Sequence, residues 1–141
     1  MTRTVQVVVD CLEPHMLAAW WAETLGWQVE PQDPAFIRSM IDQGLATSDD
    51  TIEHEGALVW RSAAAIQSSD LPYTPRILFQ QVPEQKTTKN RLHMDIRADD
   101  EDLDIVRATL IARGATELWE GSQGPHRWVT MADPEGNEFC I

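Results

Sequence analysis

Two stretches of the chain repeat the same order of structural elements. Residues 5–11, VQVVVDC, are rich in β-branched side chains, and residues 91–98, RLHMDIRA, alternate apolar and polar side chains as a half-buried strand does. An apolar stripe at helical spacing follows each stretch and ends at a glycine, Gly26 in the first copy and Gly114 in the second. This repetition constrains the fold strongly, because the two copies are expected to adopt the same structure.

Three further strand candidates follow the helix in each copy. They are residues 26–30, 56–62 and 76–82 in the first copy, and residues 116–120, 126–132 and 137–141 in the second. Each copy is therefore predicted to be a βαβββ unit. The first copy also contains an additional helical pattern at about 34–44, which starts at Asp33 and Pro34. We expect this inserted helix to pack across the sheet or to cover a cavity.

The length of 141 residues suits one domain with its own core. We expect a single domain that consists of unit one at residues 1–84, a linker at 85–90 and unit two at 91–141. The net charge of -12 disfavours nucleic acid and anionic membranes as partners. No apolar run approaches the roughly 20 residues of a membrane span, and the start is unlike a signal peptide. A cytoplasmic protein is expected, with Cys11 and Cys140 as reduced thiols.

Two short motifs carry a resemblance to a known superfamily. LGW at 25–27 closes the first helix and DPEGN at 133–137 leads into the last strand. Together with the tandem βαβββ pattern, they resemble the vicinal oxygen chelate superfamily of glyoxalase I, extradiol dioxygenases, and fosfomycin and bleomycin resistance proteins. More narrowly, FQQVPEQKTTKNRLHMD at 79–95 resembles the small glyoxalase-like domain proteins. The resemblance implies an α+β fold in which two units form a cupped mixed sheet with the helices outside. It also implies a homodimer.

The resemblance also implies where a divalent metal would be held. In the superfamily the ligands lie on the first and last strands of both units, which correspond to Gln6, Gln80, His93 and Cys140. A one-residue shift in strand register would exchange Gln80 for Gln81. The family usually has a carboxylate where Cys140 stands, so this set suits zinc, nickel or cobalt better than magnesium, manganese or calcium. We favour a degenerate, metal-free site and keep the metal-bound form as the alternative.

Other side chains are candidates for ligand contact or proton transfer. Asp95 shares the strand face of His93, and both would contact a ligand together with Gln6 and Gln80. Trp60 and Trp128 lie on predicted strands and could supply a wall for a planar or apolar ligand. Glu138 and His126 are the candidate catalytic acid and base.

The two remaining histidines are predicted to have no role in ligand binding or catalysis. His15 lies off the apolar stripe of the first helix, and His54 lies in the polar stretch TIEHEG. We expect both to be exposed to solvent.

The sequence supports three functional hypotheses. The first is a small-molecule binding protein that acts in resistance or sequestration, with the ligand in the cup. The second is a metal-dependent lyase, isomerase or dioxygenase that acts on a vicinal-oxygen substrate, and the third is a subunit or regulatory module without a ligand. Classical glyoxalase I activity is not expected, because that chemistry depends on a carboxylate base where this chain has Gln80 and Cys140.

Overall fold

The computed structural model describes residues 1–71, 73–97 and 99–141. The chain has two compact units, Met1–Glu84 and Gln85–Ile141. Within the described residues, none of the helices has the length and apolar character that crossing a membrane requires.

The described residues of the first unit form two α-helices and six strands. Its elements are β1 (Val7–Cys11), α1 (Pro14–Leu25), β2 (Gln28–Val29), α2 (Pro34–Asp42), a 3-10 turn (Ser48–Asp50), β3 (Thr51–His54), β4 (Ala57–Trp60), β5 (Ala63–Gln67) and β6 (Ile77–Gln81). The second unit contains β7 (Met94–Asp95), α3 (Leu103–Ala112), β8 (Thr116–Gln123), β9 (His126–Ala132) and β10 (Glu138–Cys140).

Each unit has a four-stranded mixed sheet with the same topology. The strand order is β1-β6-β5-β2 in the first unit and β7-β10-β9-β8 in the second. In both, the first strand pairs in parallel with the last, and the other neighbours are antiparallel. The predicted α+β fold with a repeated βαβββ unit is therefore confirmed.

Helix α1 covers one face of the first sheet because its apolar stripe is continuous. Leu17 and Trp21 are 0% and 1% exposed, and α1 packs against β5 and β6. Proline is tolerated in the first turn, where Pro14 lies. Gly26 ends the helix with φ of 65°, a left-handed conformation that glycine adopts without a steric penalty.

The third strand of the first sheet differs from the prediction. Residues 56–62 were expected in the main sheet, but β4 pairs with β3 in a separate hairpin, and β5 takes the place in the sheet. Glu55 and Gly56 form the hairpin turn with φ of 51° and 79°, as a two-residue turn with positive φ at both positions requires. The sequence of β5 is AAAIQ. Alanine has a weak strand preference, which hid this strand from sequence reasoning.

The strand predicted at residues 91–98 is shorter in the structure. Regular pairing in β7 covers Met94–Asp95 and continues only as a bond from the Ile96 amide to the Cys140 carbonyl. Leu92 was expected on the buried face but is 89% exposed. The short partner β10 explains this, because it begins opposite residue 93 and leaves Leu92 without a neighbouring strand. Ala98, at the end of the predicted strand, lies outside the described residues.

The inserted helix is confirmed as α2, and it ends two residues before the predicted limit. The Asp33 side chain caps it by accepting a hydrogen bond from the Ala35 amide at 2.9 Å. Ile37 is 1% exposed, so the helix is anchored by an apolar contact.

The DPEGN turn sets the start of β10 through one buried carboxylate. Asp133 is 3% exposed, and its Oδ1 accepts hydrogen bonds from the amides of Glu135 and Asn137, both at 2.9 Å. Gly136 in the same turn has φ of 90°, where a side chain would be strained. The side chain of Asn90 donates to that of Asn137 at 2.9 Å, which ties the segment before β7 to this turn.

Candidate functional site

The face of the first sheet that points away from α1 carries the two predicted glutamines. Val8 pairs with Leu78 and Asp10 pairs with Gln80 in the β1–β6 register. Side chains alternate along a strand, so Gln6 and Gln80 share the face of these residues, and Gln81 does not. Gln6 accepts a hydrogen bond from Arg76 Nη1 at 2.6 Å through its Oε1. Gln80 is exposed.

A cavity of about 260 Å³ lies on this face of the first unit. Its floor comes from β5 and β6, and α2 supplies Phe36 and Ile37. Trp60, at the end of β4, forms part of the wall, so the structure places this predicted ligand-contacting tryptophan at a cavity. Phe36 is 54% exposed, which leaves apolar surface available for contact.

An arginine–glutamate pair borders the cavity. Arg76 Nε donates to Glu30 Oε1 at 2.9 Å and to Oε2 at 2.8 Å, and both residues line the cavity. Arg76 precedes β6 and lies on the same face as Leu78. Sequence reasoning could not find this pair, because its members are 46 residues apart and the insertion lies between them.

Gln32 holds the cavity wall in position and was also missed by sequence reasoning. Its Oε1 accepts a hydrogen bond from the Trp60 amide at 2.8 Å, and its Nε2 donates to the Ala63 carbonyl at 2.9 Å. One side chain therefore connects the end of β4 to the start of β5. Because both bonds engage backbone groups, the position of Trp60 is fixed before any ligand binds.

His15 and His54 are not exposed as predicted. Both are half-buried, and their ring centroids are 4.7 Å apart with a tilt of 34°. His15 Nε2 donates to the Trp60 carbonyl oxygen at 2.8 Å, and His54 lies in β3 rather than in a loop. The formation of the β3–β4 hairpin explains the difference, because it carries His54 and Trp60 to the start of α1. Both histidines therefore support the cavity wall.

A second cluster of functional side chains lies within the second unit. Cys140 pairs with Asp95 in the parallel β7–β10 register and with Thr130 in β9. His93 Nε2 is 3.3 Å from Asp95 Oδ1. Donor atoms of His93, Asp95 and Cys140 all lie within 4.8 Å of one another. The Cys140 thiol also forms a 3.4 Å hydrogen bond with the Thr130 hydroxyl.

The donor set of this cluster fits a thiophilic divalent metal. Bonds of about 2.0–2.3 Å to nitrogen, oxygen and sulfur place tetrahedral ligands roughly 3.3–3.8 Å apart. The His93–Asp95 distance is already of that size, and the thiol would need to approach by at most about 1 Å. Imidazole with thiolate and carboxylate is a combination typical of zinc or cobalt. Asp95, which sequence reasoning assigned to ligand contact, supplies the carboxylate missing from the predicted metal set.

Glu138 is held by the segment before β7. Its side chain is 9% exposed, and its Oε1 pairs with Lys86 Nζ at 2.8 Å. Its Oε2 accepts a hydrogen bond from the Asn90 amide at 3.0 Å. Desolvation by burial raises the pKa of Glu138, but the bonds from Lys86 and Asn90 outweigh this and hold the pKa below 4.5. A carboxylate that stays ionised suits a base better than an acid.

Trp128 and His126 lie on β9 at different depths. Trp128 is half-buried, and its indole occupies the space above Gly121 of β8. A Cβ atom at Gly121 would lie 2.4 Å from the indole, so glycine is required for this contact. His126 begins the strand and is exposed. Alternation places Trp128, Thr130 and, in the neighbouring strand, Cys140 on one face.

Comparison with known proteins agrees with this architecture. Residues 6–141 match the family model described as a glyoxalase-like domain. Among curated proteins, none matches the chain significantly.

Solved structures show the same fold at low sequence identity. The fosfomycin resistance protein FosX from Mesorhizobium loti has a TM-score of 0.63 and 9% identity, over 99% of this chain and 90% of that chain. An enzyme of the glyoxalase/bleomycin resistance/dioxygenase family from Burkholderia phytofirmans has a TM-score of 0.59 and 15% identity, over 96% and 94%. A mutant FosX from Listeria monocytogenes, complexed with Mn(II) and a dihydroxypropylphosphonic acid, has a TM-score of 0.61 and 10% identity, over 99% and 90%.

The contacts of Glu138 predict a specific pH dependence of stability. The pKa of Glu138 is lowered in the folded state. Its contribution to the free energy of unfolding is therefore fully present above pH 4.5 and is lost as the pH falls through the folded pKa. Above 4.5, Glu138→Gln should lower the free energy of unfolding by about 1–3 kcal/mol, since a charge-assisted bond is lost. Below that pH, the difference from wild type should shrink.

Urea unfolding of both proteins at a series of pH values measures this difference. The exposed Glu101→Gln serves as the matched control, and its difference from wild type should stay small throughout. A Glu138→Gln difference that is independent of pH would contradict the role assigned to Lys86 and Asn90.

Proposed function

Because the chain belongs to the glyoxalase-like domain family of the vicinal oxygen chelate superfamily, we propose that it is a small-molecule binding protein. The ligand would lie on the sheet face opposite α1, in the cavity bounded by Trp60, Phe36 and the Arg76–Glu30 pair. The single observation that carries this proposal is that cavity, which combines an aromatic wall with a few fixed polar groups, as ligand sites commonly do.

The energetics of the cavity require both kinds of contact. Burial of about 150 Å² of apolar ligand surface contributes roughly 4 kcal/mol, which alone corresponds to a millimolar dissociation constant. The entropy lost on association reduces this further. Useful affinity therefore depends on polar partners that are already in place. The carboxylates of Glu30 and Asp33 are such partners among the described lining residues. The bonds of Gln32 to the Trp60 amide and the Ala63 carbonyl hold the wall in position, so the ligand need not order it.

Sequestration is the activity that this arrangement supports best. Trp60 and Phe36 offer contact surface, and the described lining contains no nucleophile with an adjacent base. A fosfomycin resistance protein shares the fold, and a role in resistance by binding is the corresponding proposal for this chain. As further proposals from the same family resemblance, the chain is a single glyoxalase-like domain, a homodimer and cytoplasmic.

A cavity-filling variant tests the binding proposal. Ala63→Leu adds three carbon atoms to the floor of the cavity while Trp60 and Arg76 keep their partners. For any fragment that binds the wild type, we expect this variant to lower the affinity at least about tenfold, equivalent to 1.4 kcal/mol. The measurement is a ligand-observed NMR screen of aromatic and heteroaromatic fragments, followed by titration of the hits.

The exposed helical position Ala108 provides the control, because Ala108→Leu adds the same atoms outside the cavity. Fragments that bind both variants with wild-type affinity would show that the cavity is not the binding site. A screen without hits would contradict the proposed function.

A second candidate function is favoured by the His93–Asp95–Cys140 cluster. These three side chains would hold a divalent metal in a metal-dependent lyase, isomerase or dioxygenase. The metal would supply a Lewis acid that polarises adjacent substrate oxygens. Thr130 orients the thiol through its hydrogen bond. Glu138 would accept protons in its ionised form, and His126 is exposed at the start of β9.

Cobalt substitution tests the second candidate without an activity assay. Protein expressed without a histidine tag should bind about one Co²⁺ and show a thiolate-to-cobalt charge-transfer band in the near ultraviolet. Cys140→Ser should abolish the band, while Asp95→Asn should weaken binding by about 10–100-fold, as the loss of one ligand or orienting partner does.

Cys11→Ser is the matched control, because Cys11 is a buried thiol of the other unit and should leave the band unchanged. Persistence of the band in Cys140→Ser, or its complete absence in the wild type, would reject this metal site.

A further inference from the structure

We infer that the cavity of the first unit selects a small organic cation with an aromatic or apolar body. This inference rests on the proposed binding function and names the chemical class of its ligand. It follows from the charges at the cavity edge, the aromatic wall and the contacts of the lining residue Arg76.

The ionisable lining of the cavity carries a net negative charge. Glu30 and Asp33 are its carboxylates and Arg76 is its cation, among the described lining residues. Arg76 is neutralised by Glu30, which it contacts through Nε at 2.8 Å and 2.9 Å. Asp33 caps α2 by accepting a bond from the Ala35 amide, and Arg76 pairs with Glu30 rather than with Asp33. The charge left to act on a ligand is therefore that of Asp33.

The aromatic wall favours the same sign of ligand. A ring presents the negative side of its quadrupole to a group above its face, and a cation within about 6 Å gains roughly 0.5–2 kcal/mol. Trp60 is the best ring type for this contact, and Phe36 adds a second ring from α2. An anion placed against the same faces is repelled.

An anionic ligand that approaches the Nε edge of Arg76 would also have to break the arginine–glutamate pair. To bind a carboxylate through the Nε edge, Arg76 would give up both bonds to Glu30, whose side chain is 22% exposed. The released carboxylate would then lie beside the incoming anion in a partly desolvated site. The Nη1 donor is already engaged by Gln6 at 2.6 Å. A cation requires none of these changes.

The size of the cavity and the charge of the whole chain further limit the class of ligand. A volume of about 260 Å³ accommodates one or two rings with a short chain, below the size of most drug-like ligands. The net charge of -12 attracts cations towards the protein and slows the approach of anions. Protonated aromatic and heteroaromatic amines meet all of these conditions.

Three probes of the same shape and different charge test this inference. They are 4-fluorobenzylamine, which is protonated at neutral pH, 4-fluorobenzyl alcohol, which is neutral, and 4-fluorobenzoate, which is anionic. Titrations followed by fluorine NMR should show the amine binding at least about tenfold more tightly than the alcohol, and no measurable binding of the benzoate. High salt should weaken the binding of the amine and leave the binding of the alcohol unchanged.

A charge variant identifies the group responsible. Asp33→Asn keeps the helix cap, since asparagine caps as well as aspartate, and should reduce amine affinity about three- to tenfold without affecting the alcohol. Asp42→Asn, at the other end of α2 and outside the cavity, should change neither. The inference would be overturned if the alcohol or the benzoate bound as tightly as the amine or more tightly. It would also be overturned if Asp33→Asn left the affinity for the amine unchanged.

The same titrations separate this inference from the proposed function. If the alcohol or the benzoate binds best and Ala63→Leu removes that binding, the cavity is a ligand site and its charge selectivity is wrong. If none of the probes binds in a manner sensitive to Ala63→Leu, the inference and the proposed site are both wrong.

Discussion

Parallel pairing between the first and last strands determines which side chains meet in each unit. In the first unit this pairing sets Val8 beside Leu78 and Asp10 beside Gln80, while α1 covers the opposite face. In the second unit it sets Asp95 beside Cys140. Residues far apart in sequence are thus brought onto one sheet face, and the placement of Gln80 in the first unit and of Asp95 and Cys140 in the second depends on this register. A one-residue slip would turn these side chains to the other face.

The insertion in the first unit makes the repeated units functionally different. Helix α2 and the β3–β4 hairpin occur between the second and third strands of the first sheet, and together they provide Phe36 and Trp60. Gln32 connects the hairpin to β5, and the His15 ring donates a hydrogen bond to the carbonyl group of Trp60. The second unit lacks an equivalent insertion among its described residues and carries the His93–Asp95–Cys140 cluster instead. One unit therefore offers a ligand cavity and the other a candidate metal site.

Sequence reasoning was successful where local patterns are strong. The stripe of α1, the N-cap of α2 and the DPEGN turn are signalled by residues a few positions apart, and all of them form as predicted. The strand with the sequence AAAIQ was not predicted, because alanine does not clearly favour either a strand or a turn. The Arg76–Glu30 pair and the Gln32 contacts could not be found, because they join segments 28–46 residues apart in sequence. Such contacts follow from the tertiary fold alone, and they define the cavity.

The central claim is that a ligand contacts Trp60 in the cavity of the first unit. The most direct measurement is the indole N–H resonance of Trp60 in a ¹H–¹⁵N spectrum, assigned by its loss in Trp60→Phe and followed as a binding fragment is added. We expect a saturable shift of the Trp60 resonance, with the resonance of Trp128 unchanged. A fragment that binds with the Trp60 resonance unmoved would contradict the claim.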